Sequence, residues 1–131
     1  MQVTGLDHVN IVARDIGETI AFYEALLGFH AVAIPSAPAG FDGRWLHDGS
    51  GQPIIHLQAF DPNRHAARAA DVPTGWIDHV AFACEGFEDT KQRCEEQGVA
   101  YRVNDRQFGT LRQIFVSDPN NVTLELNFAA D

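Results

Sequence analysis

Apolar and polar positions alternate along this chain in a pattern that is written twice. Residues 6–13 (LDHVNIVA) form a β-branched apolar run typical of a strand, and IDHVA begins another such run about 70 positions later. After each run comes a helical stretch that ends at a glycine, and then three further apolar stretches. The chain is therefore predicted to contain two βαβββ units.

The first unit has clear helix boundaries. Asp15 is followed three residues later by Glu18, as in a capping box, where each side chain accepts a hydrogen bond from a free backbone N–H. Gly28 suits the left-handed conformation that closes a helix. One helical face is expected to carry the apolar residues Ile16, Ile20, Tyr23 and Leu27. Three strands are expected after the helix, near 29–34, 42–48 and 53–60.

The second unit repeats this order. Its elements are predicted as a strand at 75–84, a helix at 87–97 closed by Gly98, and strands near 100–104, 109–117 and 121–128. We expect one α+β domain over residues 1–131, made of module 1 (1–60), a linker (61–74) with proline near both ends, and module 2 (75–131).

Strand alternation places four ligand-type side chains on the more polar faces of four strands. His8 shares its face with Asn10, and His56 shares its face with Gln58. The opposite faces are more continuously apolar and suit packing under the helices. The ligand-type residues also occupy equivalent positions of the two modules, in the pairs His8 with His79 and His56 with Glu125.

This placement predicts a metal site. A single histidine on a strand is usually an exposed or hydrogen-bonded residue, but coincidence would here require four independent placements. A buried Glu125 without a partner would also carry a desolvation cost that a cation offsets. One divalent metal ion is therefore expected, held by His8, His56, His79 and Glu125. Three imidazoles and a carboxylate suit zinc, nickel, cobalt, manganese or iron, and the residue types do not choose among them.

The composition argues against several other classes of protein. The formal net charge of −9, with nine scattered basic residues, argues against a nucleic-acid surface. We expect no membrane partner, because no apolar run is long enough to span a bilayer, and no signal peptide, because the N-terminus lacks the charged and apolar regions of one. Two cysteines make no disulfide framework, so a cytoplasmic protein is expected.

Three stretches make the chain resemble the vicinal oxygen chelate superfamily, which includes glyoxalase I, methylmalonyl-CoA epimerase, fosfomycin-resistance proteins and extradiol dioxygenases. They are LDHVNIVARDIGETIAFYEALLGF (6–29), IDHVAF (77–82) and QIFVSDPNNVTLEL (113–126). A fourth stretch, FDGRWLHDGSGQPIIHLQ (41–58), resembles a glyoxalase-like branch. The resemblance implies that each unit curls its sheet, that two units form a cup around a divalent metal, and that the ligands are the same four residues.

Two departures weaken one assignment within that family. Glyoxalase I usually has Glu where this chain has His56, and its glutathione-contacting Arg would fall at Val12. Classical glutathione-dependent glyoxalase I activity is therefore disfavoured, although metal binding is not. The fourth ligand at His56 likewise argues against an extradiol dioxygenase, which typically uses two His and one Glu.

The expected chemistry is that of a glyoxalase-like lyase or isomerase. A small substrate with neighbouring oxygens would lose a proton from the carbon beside its carbonyl, through an enediolate-type intermediate, with the metal stabilising the charge. Glu125 is the expected catalytic base. Candidate substrate-binding residues are Asn10, Gln58, Gln113, Phe115 and Arg44, and the arginines Arg102 and Arg112 are further candidates for a substrate carboxylate.

Other functions stay open at this point. An Fe(II) dioxygenase or a thiol-transferring resistance enzyme would use the same cup, and a metal-free binding protein of the bleomycin-binding type would hold a small molecule in it. The resemblance implies a homodimer. The sequence leaves open whether the site is completed within one chain or between two, and it identifies neither the substrate nor the metal.

Overall fold

The order of elements is the predicted one. A computed structural model of the protein describes residues 1, 6–35, 37–65, 79–108 and 111–129. Module 1 contains β1 (Val9–Ala13), α1 (Ile16–Leu27), β2 (His30–Ala33), β3 (Gly43–His47) and β4 (Pro53–Ala59). Module 2 contains β5 (Val80–Cys84), α3 (Phe87–Gln97), β6 (Tyr101–Phe108), β7 (Leu111–Ser117) and β8 (Thr123–Phe128). A short helix, α2 (Pro62–His65), lies in the predicted linker, and residues 66–74 of that linker lie outside the described residues.

Each module forms a four-stranded mixed sheet with the same topology. The strand orders are β1-β4-β3-β2 and β5-β8-β7-β6. In both sheets the first and last strands of the module pair in parallel, and the other neighbours pair antiparallel. The α+β class and the duplicated βαβββ pattern are therefore confirmed.

The capping signal at the start of α1 is confirmed, but its buried face is shifted. The Asp15 side chain accepts a hydrogen bond from the Glu18 N–H at 2.8 Å, and Gly28 closes the helix at φ 67°. α1 buries Thr19, Tyr23 and Leu26. Tyr23 of the predicted stripe is thus buried, whereas Ile16, Ile20 and Leu27 are only partly buried and pack against the core. Thr19 is tolerated there because its hydroxyl donates to the Asp15 carbonyl at 2.8 Å.

Alternate residues of the two parallel-paired strands fill the core. Ile55 and Leu57 on β4, and Leu124 and Leu126 on β8, are almost wholly buried. Each such side chain contributes about 1.5–3 kcal/mol through burial. The helices α1 and α3 pack against each other, and the buried residues of both modules form one cluster. The intervening residues of β4 and β8 lie on the opposite faces, as the alternation predicts.

The starts of two strands and the end of a third differ from the prediction. β1 begins at Val9 and β5 at Val80, so His8 and His79 each lie just before a strand. The strand predicted at 100–104 continues as β6 to Phe108, because the backbone of this polar stretch pairs with β7. Cross-strand pairing thus overrides the loop-like composition of the segment.

A buried polar contact joins the two modules. The Tyr23 hydroxyl donates to Oδ2 of Asp118, which is 3% exposed, at 3.1 Å. Asn120 accepts from the Arg14 N–H at 3.0 Å and donates to the Thr19 hydroxyl at the same distance. The β7–β8 turn is therefore attached to α1, and this contact helps to fix how the two sheets are oriented.

Candidate metal centre

Two of the predicted ligands, His8 and His56, are neighbours on the sheet of module 1. Their ring centroids lie 6.1 Å apart. Trp45 contacts both: it stacks on His56 with centroids 4.7 Å apart and meets His8 edge-on at 4.9 Å. The contact with His56 follows from the register, because Trp45 on β3 is the direct partner of His56 on β4. His8 also bonds to the exposed Asp7 through Nδ1.

Two amides line up behind the His56 ring. Asn10 Nδ2 lies 2.8 Å from His56 Nδ1, and Gln58 Nε2 donates to Asn10 Oδ1 at 2.6 Å. These amide orientations place the ring proton on Nε2. Turning both amides over keeps the same heavy-atom contacts, puts the proton on Nδ1 and frees the Nε2 lone pair. A ring nitrogen that donates to an oxygen in this way is the usual support for a metal-binding imidazole.

The other nitrogen of that ring is an anomaly. Among the described residues, His56 Nε2 is buried and has no hydrogen-bond partner. Burial lowers the pKa of His56 below its usual value, and the charges of His8 and Arg64 lower it further. The ring is therefore neutral at pH 7. A neutral imidazole with one buried nitrogen to satisfy is the chemistry expected of a ligand.

The second pair of predicted ligands, His79 and Glu125, is formed in module 2. His79 Nε2 lies 3.1 Å from Glu125 Oε2, and the Glu125 side chain is 13% exposed. The other oxygen, Oε1, accepts from Gln113 Nε2 at 2.8 Å and from Asn127 Nδ2 at 2.9 Å. The carboxylate is therefore held through one oxygen, and the other oxygen lies beside His79.

Gln113 is the centre of this polar network. Its side-chain oxygen accepts from Asn104 Nδ2 at 3.1 Å, while its nitrogen is shared between Glu125 and Asn127. Both Gln113 and Asn104 are buried. The amide predicted to bind substrate thus has protein partners on both of its atoms. Asn127, which the sequence reasoning did not select, was detectable as the residue two positions after Glu125 on the same strand face.

The remaining predicted substrate-binding residues, Phe115 and Arg44, differ in the face of the sheet on which they lie. Phe115 meets the His79 ring edge-on with centroids 6.4 Å apart, and the Arg102 guanidinium lies 4.1 Å from the Phe115 centroid. Arg44, in contrast, is paired with Leu57 across the sheet, on the face that is buried under the helices. Its guanidinium bonds to Asp42 at 3.3 Å and to the Gly43 carbonyl at 2.6 Å.

The single chain brings the four predicted ligands together as two pairs. Within the described ranges, which include all four residues, no group of three or more His, Cys, Asp or Glu side chains is arranged to hold a metal ion. His8 and His56 lie on the sheet of module 1, and His79 and Glu125 lie on the sheet of module 2. Each pair provides half of the predicted donor set.

In the part of the chain that the structure describes, every helix is too short or too polar to cross a bilayer.

Comparison with known proteins gives a consistent family. The model of the Glyoxalase/Bleomycin resistance protein/Dioxygenase superfamily matches residues 5–126. Glyoxylase I 4 of Arabidopsis thaliana is 30% identical over 128 residues, which cover 96% of this chain and 71% of that protein.

Solved structures share the fold. A protein from the mobile metagenome of V. Pseudocholerae superposes with a TM-score of 0.70 at 26% identity, covering 100% of this chain and 98% of that one. A point mutant of the fosfomycin resistance protein FosX from Listeria monocytogenes, complexed with Mn(II) and 1S,2S-dihydroxypropylphosphonic acid, superposes with a TM-score of 0.74 at 18% identity, covering 98% and 95%. This protein belongs to the Glyoxalase/Bleomycin resistance protein/Dioxygenase superfamily.

Proposed function

We propose that this protein is a metal-dependent enzyme of the glyoxalase type, a lyase or isomerase that acts on a small substrate with vicinal oxygens. His8, His56, His79 and Glu125 would hold the metal. The observation that carries the proposal is the buried His56 Nε2, which has no partner among the described residues although the rest of its ring is supported by contacts. A bound cation would remove the energetic penalty of that unpaired nitrogen.

The donor set fits a divalent transition metal. Three imidazole nitrogens and one carboxylate suit zinc, nickel, cobalt, manganese and iron. The FosX structure that shares this fold was determined with Mn(II). Both pairs are also supported by neighbouring amides: Asn10 contacts His56, and Gln113 contacts Glu125. Such contacts fix the orientation of metal ligands and tune their affinity.

A homodimer would complete the site. The two pairs lie on separate sheets of one chain, and neither pair alone supplies more than two donors. In a symmetric dimer, His8 and His56 of one copy would meet His79 and Glu125 of the second copy. The same operation would form two equivalent sites, as expected for an interface with twofold symmetry.

The proposed reaction uses the two oxygens of Glu125 differently. When bound, the metal would polarise the substrate carbonyl and favour loss of a proton from the neighbouring carbon. Glu125 Oε2, once released from its role as a metal ligand, would take that proton and return it, while the bonds from Gln113 and Asn127 hold Oε1. Phe115, beside His79, would provide an apolar wall against water.

Metal content tests the donor set directly. Purified wild type, His56→Ala and the control His30→Ala are loaded with each candidate metal, desalted and measured by elemental analysis. We expect wild type and His30→Ala to retain about one ion per chain, because His30 is exposed and distant in sequence from the four donors. His56→Ala should bind at least ~10-fold more weakly. A wild type that stays empty with every metal would reject the proposal.

Catalysis is tested with Glu125→Gln, which keeps the size of the side chain and removes its basicity. Glyoxalase, epimerase and isomerase substrates with vicinal oxygens are screened with the metal-loaded wild type, and the best one is compared in both proteins. The rate should fall by at least ~10²-fold, with the fold intact. An unchanged rate would remove Glu125 from the mechanism. Oxygen uptake with catechols would instead identify dioxygenase activity.

A further inference from the structure

We infer that the substrate carries an oxyanion, a carboxylate or a phosphoryl group, and that Arg102 binds it in a cavity next to Phe115. The cavity is a shallow, largely open depression with a volume of about 310 Å³, and it lies along β6, β7 and β8. The inference rests on the proposed function, since it takes the His79–Glu125 pair as the reacting end of the substrate site. It adds the chemical class of the substrate and the residue that recognises it.

Four residues that line the cavity share one face of the sheet with the Glu125 side chain: Arg102, Phe115, Ser117 and Thr123. Arg102 and Phe115 are direct cross-strand partners, and so are Phe115 and Glu125. Residues that face each other in this way point to the same side of a sheet. Thr123, which also lines the cavity, precedes Glu125 by two positions and therefore lies on the same side. A small molecule held in the cavity would thus reach from Arg102 past Phe115 to the carboxylate.

Within the described residues, Arg102 has no anionic partner. Its guanidinium contacts the Phe115 ring, and none of the described carboxylates pairs with it. The contrast with Arg112 is clear, because that guanidinium binds Glu88 at 2.9 Å. An aromatic ring holds a guanidinium in place without neutralising it, which leaves its N–H groups for an oxyanion.

Two hydroxyls add to the donor set of the cavity. Ser117 and Thr123 are cross-strand partners at its lining, and their side chains make no hydrogen bond to any described residue. A guanidinium and two hydroxyls can together donate to several oxygens of a carboxylate or phosphoryl group. The protein carries a net charge of −9, so its overall field would not attract an anion. Recognition of an anion would therefore depend on this local group.

Calorimetry with inorganic phosphate tests the site without the metal. The chelator-treated full-length protein is titrated at pH 7 and low salt, and compared with Arg102→Gln, Arg102→Lys and the control Arg93→Gln. Arg93 is an exposed cation on α3, so it controls for the change in net charge. We expect Arg102→Gln to weaken phosphate binding at least ~10-fold, Arg102→Lys to weaken it less, and Arg93→Gln to leave it unchanged. Circular dichroism checks that each variant is folded.

A second pair of probes separates charge from shape. Pyruvate and its methyl ester differ mainly in the carboxylate, so wild type should prefer pyruvate at least ~10-fold and Arg102→Gln should lose that preference. Equal binding of phosphate by wild type and Arg102→Gln, or no binding of phosphate and pyruvate by wild type, would overturn the inference. Metal content is measured separately, so Arg102-dependent phosphate binding in a protein that takes up no metal would reject the proposed function alone.

Discussion

The turns that join the last two strands of each module share their backbone hydrogen bonds, but the aspartate that opens one turn is accessible to solvent and the aspartate that opens the other is buried. Asp48 opens the β3–β4 turn and Asp118 opens the β7–β8 turn, and in each turn the aspartate side chain accepts from the N–H groups two and four residues later. Each turn also contains one residue with positive φ, Gly51 at 86° and Asn121 at 62°. The two modules therefore share the local hydrogen bonds of this turn.

The difference lies in what each aspartate contacts beyond its turn. Asp48 is solvent-accessible, and its pKa is lowered by the Ser50 hydroxyl and by the backbone N–H groups of the turn. Asp118 is buried and accepts from the Tyr23 hydroxyl of α1. The same residue type thus serves a local turn in module 1 and an inter-module contact in module 2. Equivalent positions in the repeat therefore need not contribute equally to stability.

The predicted ligands His56 and Glu125 also differ in their surroundings. His56 contacts the Trp45 and Phe41 rings, whereas Glu125 accepts two amide N–H groups. A neutral imidazole tolerates apolar ring contacts, but a half-buried carboxylate requires donors. Each module therefore surrounds its predicted ligand with side chains that suit the chemistry of that residue.

The largest expected effect on stability comes from replacing each of these two aspartates with alanine in separate variants. Asp118→Ala leaves the Tyr23 hydroxyl and two turn N–H groups without their acceptor in a buried place, and should lower the free energy of unfolding by about 3 kcal/mol or more. Asp48→Ala should lower it by about 1 kcal/mol, because water can replace the lost acceptor. Urea unfolding of both variants measures the difference. Equal losses would mean that the contact with α1 contributes nothing.

The next test compares the glutamines that support the two ligands. Gln113 bonds directly to Glu125, whereas Gln58 reaches His56 only through Asn10. We expect Gln113→Leu to weaken metal binding by about 10- to 100-fold and Gln58→Leu by less than about 10-fold. Competition with a chelator of known affinity measures both. A larger loss of metal affinity in Gln58→Leu than in Gln113→Leu would contradict this prediction.

The sequence predicted local features better than contacts between modules. The order of the strands and helices, the glycine caps and the separation of apolar from ligand-bearing faces all follow from short-range periodicity. The bond from Tyr23 to Asp118 does not, because it depends on how two modules pack. The separation of the four predicted ligands into two pairs also depends on this packing. Strand alternation alone could have placed Arg44 on the face of the sheet away from His56. Its neighbour Trp45 shares the face of His56, and adjacent residues of a strand point to opposite faces.

The buried Tyr23 is expected to make the stability of the protein depend on pH. Burial raises the pKa of Tyr23 above its usual value of 10.0, and the charge of Asp118 and the hydrogen bond to it raise the pKa further. The folded protein therefore keeps this proton at pH values where the unfolded chain loses it. The contribution to stability is complete below about pH 10 and falls as the pH rises, by at most about 1.4 kcal/mol per pH unit.

The control for that dependence is the other tyrosine, Tyr101, which bonds to Glu95 near the surface. Unfolding in urea is measured between pH 8 and 11 for wild type, Tyr23→Phe and Tyr101→Phe. Tyr23→Phe should show a flatter decline, and Tyr101→Phe should stay close to wild type. A flatter decline in Tyr101→Phe alone would assign the alkaline sensitivity to the surface contact.

The smallest expected effect tests whether the two turns are conformationally equivalent. Gly51 has a positive φ, and apart from its chain neighbours no described residue lies within 4 Å of the position of a Cβ atom there, so its backbone conformation is what restricts a substitution. Asn121 adopts the same region at the equivalent position, and Asn is the residue after Gly that tolerates it best. Gly51→Asn should therefore change the free energy of unfolding by less than about 0.5 kcal/mol, whereas the β-branched control Gly51→Val should lower it by about 1–2 kcal/mol. If urea unfolding gave equal losses for both variants, the turns would share their hydrogen bonds but not their conformational preference, and the equivalence drawn between them would be limited to the aspartates.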